Sequence, residues 1–137
     1  MSRPLDPGFE STIDVLVVDD EWNVASTTAE ILERAGLRAA TAQTLEEALH
    51  VVESRRVRSI VLDHLLAQDD ASDFLDAAAD LPPVIVVSGV GRDVLAGLEV
   101  SHGSLLFACR SKPLPPPELV EVVRAAVQFG ERQVAHG

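Results

Sequence analysis

Four short apolar runs punctuate the chain: Val15 to Val18, Ile60 to Leu62, Val84 to Val87 and Leu105 to Cys109. Each is rich in β-branched or bulky side chains, and none alternates with polar positions. Short unbroken runs of this kind read as strands buried on both faces of a parallel sheet. Leu37 to Ala42, rich in Ala and Thr, reads as a weaker edge strand. The intervals carry helical spacing instead. Val24, Thr28, Ile31, Leu32 and Ala35 recur on one face, and Gly36 follows as a C-terminal stop. Thr44 and Glu47 form a capping box ahead of the stripe Leu45, Ala48, Leu49 and Val52. Shorter helices are predicted over Asp70 to Ala79 and Asp93 to Ser101. A last helix opens at Pro117 with Glu118 in its first turn and Leu119, Val122, Val123 and Ala126 as its core stripe.

Strand then helix, five times over, predicts an α/β fold: a single doubly wound five-stranded parallel sheet with helices on both faces. Residues 12–130 hold the pattern, with tails at 1–11 and 131–137. The remaining composition changes this picture in one respect. Twenty-two acidic residues against eleven basic ones give a net charge of −11. Such a chain repels nucleic-acid backbones and anionic membrane surfaces, whose affinity comes from Lys and Arg. Neither is therefore an expected partner. A lone cysteine, Cys109, excludes an internal disulfide and a cysteine-rich zinc site. No apolar run approaches the roughly 18 residues of a membrane span. Met1 to Asp14 lacks a basic start followed by an apolar stretch, so no signal peptide is expected and the chain reads as cytoplasmic.

In open α/β sheets the chemistry gathers beyond the carboxyl ends of the strands. The residues standing there are Asp19, Asp20 and Glu21, then Asp63, then Ser88 and Gly89, then Lys112 and Pro113. Clustered carboxylates repel unless a cation or proton intervenes, and a few carboxylates with water suit Mg²⁺. A cation, a hydroxyl and Mg²⁺ around a carboxylate are what an incoming phosphoryl group needs, since its transfer is mostly positioning and charge neutralisation. Lys112 is the only lysine in the chain. A compact ammonium acts on phosphate as a point charge.

In this order, each after a strand, the pieces Val17-Val18-Asp19-Asp20-Glu21, Leu62-Asp63, Val86-Val87-Ser88-Gly89 and Lys112-Pro113 resemble the receiver domain of two-component response regulators, over roughly residues 12–130. The resemblance implies strand order 2-1-3-4-5. It implies Asp63 as phosphoacceptor, Ser88 and Lys112 as the phosphate-binding switch pair, and a cis peptide between Lys112 and Pro113. It also implies Mg²⁺ held by Asp19, Asp20, Asp63 and the backbone carbonyl of Leu65. The partners implied are a histidine kinase or phosphotransfer protein and a downstream protein target, with signalling by altered protein–protein binding and no output catalysis. In receivers, the side chains two positions beyond the acceptor and two beyond the hydroxyl flank the path of hydrolytic water. Here these are Leu65 and Val90, both apolar, so the phosphorylated form is expected to be long-lived.

The chain departs from the family after Asp63, where His64 to Ala71 lacks the usual Pro-Gly and Asp-Gly, and where the stretch to Ser88 is short by roughly one helical turn. Cys109 also stands where the family commonly has an aromatic switch residue. These departures support a second reading, a pseudo-receiver that works as an interaction module without phosphorylation. A third, a Mg²⁺-dependent phosphohydrolase, would want an acid or base where Leu65 stands. Plainer roles compete at single positions. Asp19 and Asp20 could cap a helix beginning near Trp22, while Asp69 and Asp70 read as caps of the short helix. Cys109 reads as a small packed side chain, and Val120 and Val127 as ordinary burial. His50, His64, His102 and His136 suggest no metal site. Gly89 to Gly103, with four glycines, is expected to be the most mobile ordered segment.

Overall fold

A computed structural model describes residues 12–63, 81–89 and 106–136 of the chain. Its strands are β1 (Val15–Val18), β2 (Ala39–Ala42), β3 (Ile60–Asp63), β4 (Val84–Ser88) and β5 (Leu106–Ser111). Its helices are α1 (Trp22–Arg34), α2 (Leu45–Ser54) and α3 (Pro116–His136). All strand pairs are parallel, in the order β2-β1-β3-β4-β5, which is the order the sequence resemblance implied. The helices predicted over 70–79 and 93–101, the tail 1–11 and the glycine-rich segment beyond Gly89 lie outside the described residues.

The pleat sorts the apolar runs into two cores. Val15, Val17, Val61, Ile85 and Val87 face one side, where α1 and α3 close over them with Ala25, Ala29, Leu32, Leu119, Val122, Val123 and Ala126. Leu16, Val18, Ile60, Leu62, Val84 and Val86 face the other, against α2 through Ala48. Runs that do not alternate are therefore buried on both faces. The buried line of α1 is centred on Ala25, Ala29 and Leu32, while Val24, Thr28 and Ile31 flank it half-buried. Small side chains at the centre let the helix lie close to the sheet. Val127 is buried and Val120 packs at the rim of the same core, as ordinary burial predicts.

Local sequence signals set most helix ends. Gly36 adopts φ +92, and the N–H groups of Gly36 and Leu37 return to the carbonyls of Glu33 and Leu32, a Schellman closure that only a residue at ease in the left-handed region permits. Because Leu37 is spent on that closure, β2 begins at Ala39 and not at Leu37. Thr44 Oγ1 accepts the Glu47 N–H at 3.0 Å, and Glu47 reaches back to the N–H of Gln43, one residue before the cap. Strands β3, β4 and β5 outrun their apolar residues to take in Asp63, Ser88 and Ser111, because the ladder continues after hydropathy falls. The last helix starts at Pro116, one residue earlier than expected, and continues to His136 through residues 131–136, which the sequence had suggested as tail. Among the described residues no helix is long and apolar enough to cross a membrane.

Candidate functional site

Parallel strands deliver their ends to one edge. Asp19 follows Val17 by two residues and Asp63 follows Val61 by two, so the pleat directs both carboxylates towards the side covered by α1 and α3. Both are nearly buried, at 5% exposure each. Lys112 arrives from the turn after β5 and places Nζ 2.8 Å from Asp63 Oδ1. A backbone bond holds this lysine in position: its N–H donates to the carbonyl of Ser88 at 2.6 Å. Ser88 itself is buried at the end of β4, and the Lys112–Pro113 peptide is cis.

Asp19, Asp20 and Glu21 bring one carboxylate oxygen each within 4.8 Å of one another. Asp19 Oδ1 accepts the N–H of Glu21 at 2.9 Å, and this local bond fixes the turn into α1. The N-cap of that helix is Glu21, which makes no side-chain cap, so the competing assignment of Asp19 and Asp20 as ordinary helix caps fails. Glu21, to which the sequence motif assigns no ligand role, completes the three-carboxylate group. Asp63, expected among the metal ligands, stands outside that group and is engaged by Lys112. Its charge still reaches Asp19. The Leu65 carbonyl, the fourth expected ligand, and Val90 lie outside the described residues.

Burial raises the Asp19 pKa above its ordinary value; the Glu21 N–H and Lys112 oppose that rise, while the charges of Asp63 and Asp20 add to it. Burial alone would lower the Lys112 pKa, but the hydrogen bond and charge of Asp63, with Asp19 and Glu21 behind it, carry it above 10.5. The edge therefore pays to keep Asp19 ionised at neutral pH. That cost is absent below about pH 3.8, grows as pH rises through the folded value and is complete above it. Asp19→Asn is accordingly expected to raise the melting temperature of the metal-free protein by a few degrees. The same variant should lose most of the further rise that Mg²⁺ gives the wild type, since a ligand stabilises only the state that binds it. Thermal scans of both proteins with EDTA and with Mg²⁺ measure the two effects.

Around this edge sit Trp22, 56% exposed at the start of α1, and Cys109, half-buried against the α2-side core as a packed side chain. A crowded all-oxygen donor set suits a hard cation such as Mg²⁺, and an ammonium held against a buried carboxylate suits an added oxyanion.

Comparison with known proteins gives the same direction. The response regulator receiver domain family matches residues 15–124. The nitrogen assimilation regulatory protein NtrX of Azorhizobium caulinodans is 32% identical over 120 residues, covering 84% of this chain and 26% of its own. The alkaline phosphatase synthesis transcriptional regulatory protein PhoP of Bacillus subtilis is 29% identical over 122 residues, 85% of this chain and 49% of its own. Among solved structures, a CheY-like receiver domain protein from Methanospirillum hungatei shares the fold at TM-score 0.74 and 24% identity, covering 87% of this chain and 96% of its own. NtrX from Brucella abortus superposes at TM-score 0.75 and 28% identity, over 91% of this chain and 29% of its own. The chain spans about a quarter of the NtrX relative's length.

Proposed function

The chain belongs to the response regulator receiver domain family of two-component systems, and from that premise we propose that Asp63 is its phosphoacceptor, charged by a histidine kinase or phosphotransfer protein. One observation carries the reading: a nearly buried aspartate at the end of β3 held at 2.8 Å by the chain's single lysine, beside three converging carboxylates. Lys112 occupies Oδ1, so Oδ2 is the attacking oxygen. The phosphorus–nitrogen bond of the donor's phosphohistidine breaks, the Oδ2–phosphorus bond forms, and the imidazole nitrogen leaves with the electron pair. Lys112 then shifts its pairing from a bare carboxylate to the phosphoryl oxygens, and the Ser88 hydroxyl donates to one of them. Asp19 and Asp20, with Asp63 and the carbonyl of Leu65, would hold Mg²⁺, and Glu21 adds a third carboxylate to that group. The ion, when bound, neutralises the charge that otherwise repels the incoming phosphate.

The output on this reading is altered binding to a downstream protein in the cytoplasm, with no nucleic acid contacted by this acidic domain. The test is intact mass after incubation with a small phosphodonor. A gain of one phosphoryl group in Mg²⁺ and none in EDTA is expected; no gain in either would remove the phosphoacceptor role.

The apolar residues Leu65 and Val90 cannot orient a water in line with the Asp63–phosphorus bond. Slow loss of phosphate is therefore expected. Leu65→Asn or Val90→Glu should speed it roughly tenfold, short of full acid–base catalysis because these groups only place the water. The decay of the phosphorylated mass over time for the three proteins measures this, and equal rates would show that neither side chain controls access.

A further inference from the structure

The turn from β1 into α1 departs from local propensity. Ser, Thr, Asp and Asn serve best at a helix N-cap, yet α1 has Glu21 there, extended at φ −92 and ψ 109 and making no side-chain cap. Its main chain is pinned on both sides. The N–H donates to Asp19 Oδ1 at 2.9 Å, and the carbonyl accepts the Ala25 N–H at 3.0 Å. The exposed carboxylate is thereby held at the strand-end edge, with one of its oxygens within 4.8 Å of oxygens of Asp19 and Asp20. The helix dipole favours one negative charge at this end, not a third beside two others. The charge also reaches across the edge. Burial lowers the Lys112 pKa, and Asp63, Asp19 and Glu21 together carry it above its ordinary value.

Charges at this edge do not cancel when an ion binds. Among the described residues, the carboxylates of Asp19, Asp20, Glu21 and Asp63 face one ammonium, that of Lys112. Arg110, on β5, turns its guanidinium back to the Cys109 carbonyl at 3.0 Å. Mg²⁺ keeps several waters and needs only one or two direct carboxylates, so Glu21 is surplus to it. With the ion and the lysine counted, one negative charge is left over. A dianionic donor meets that charge twice as strongly as a monoanionic one, because Coulomb energy scales with the product of the charges. A phosphohistidine flanked by cationic side chains brings its own compensation.

We propose that Glu21 is a specificity-determining residue of the acceptor edge, holding small phosphodonors off Asp63 in proportion to their negative charge. This rests on Asp63 being the phosphoacceptor and adds a donor preference to that role.

The test compares initial labelling rates with acetyl phosphate, a dianion at neutral pH, and with phosphoramidate, which carries one net negative charge, at low ionic strength and saturating Mg²⁺. Glu21→Gln should speed labelling about threefold with phosphoramidate and about tenfold, close to the square of that factor, with acetyl phosphate. Added salt should shrink both gains. Glu33→Gln removes the same charge about 18 Å further along α1 and should leave both rates as they are. The Mg²⁺ affinity of Glu21→Gln, read from the Mg²⁺ dependence of its melting temperature, should fall by no more than about tenfold. Unchanged or slower labelling in Glu21→Gln, an equal gain with both donors, or a matching gain in Glu33→Gln would each overturn the proposal while leaving Asp63 the acceptor. So would a loss of Mg²⁺ affinity well beyond tenfold, which would make Glu21 a ligand of the ion. Labelling of no protein by either donor would remove the acceptor role and this one with it.

Discussion

Asp63→Asn is expected to abolish the gain of one phosphoryl group from a small phosphodonor while leaving the fold intact. The amide offers no anionic oxygen to attack phosphorus, and among the described residues no other carboxylate at this edge is held as Asp63 is, nearly buried and on Lys112 Nζ. Asn keeps the size and can still accept from Lys112, so the two cores either side of the sheet are untouched. Asp20→Asn should slow labelling roughly a hundredfold, the scale on which losing one preorganised electrostatic partner acts. The measurements are intact mass over time and thermal unfolding of each variant. Full labelling of Asp63→Asn would defeat the assignment.

Lys112→Ala is expected to separate phosphate acceptance from its consequences. From sequence, Lys112 reads as a residue that senses phosphate with little part in stability. The pairing with Asp63 modifies that. Removing the ammonium leaves a nearly buried carboxylate facing Asp19 with no counter-charge. Lys112 is itself 38% exposed, so water screens the pair and the loss is set at about 1 kcal/mol, well below that for a fully buried pair. The larger effect is on signalling. The Lys112 N–H to Ser88 carbonyl bond joins the ends of β4 and β5, so a lysine drawn towards a phosphoryl group pulls on both strand ends. In the alanine variant, phosphorylation should no longer change hydrogen exchange at Ser88, Gly89 and Ser111, whereas in the wild type it should. Unaltered changes in the variant would show that the lysine does not transmit the phosphate's arrival.

The doubly wound fold was legible because its strands are short, apolar and unbroken, a pattern that few other architectures need. What escaped were polar continuations. Asp63, Ser88 and Ser111 belong to strands by hydrogen bonding, and residues 131–136 to a helix, although hydropathy gives no reason to extend either. Ala25 and Ala29 escaped as the centre of α1 because small side chains carry a weak hydrophobic signal while packing closest. At the site, the edge and its residues could be read from strand ends alone, but not their division of labour. The contact between Asp63 and Lys112 spans 49 positions, and the entry of Glu21 into the carboxylate group depends on the turn that Asp19 fixes.

The most direct measurement of the central claim is to trap the phosphorylated chain with borohydride, which reduces an acyl phosphate to an alcohol, and to map the product by peptide mass. Homoserine at position 63, formed only when Mg²⁺ and phosphodonor were both present, is the predicted result. Reduction at Asp19, Asp20 or any other carboxylate, with position 63 still aspartate, would contradict it.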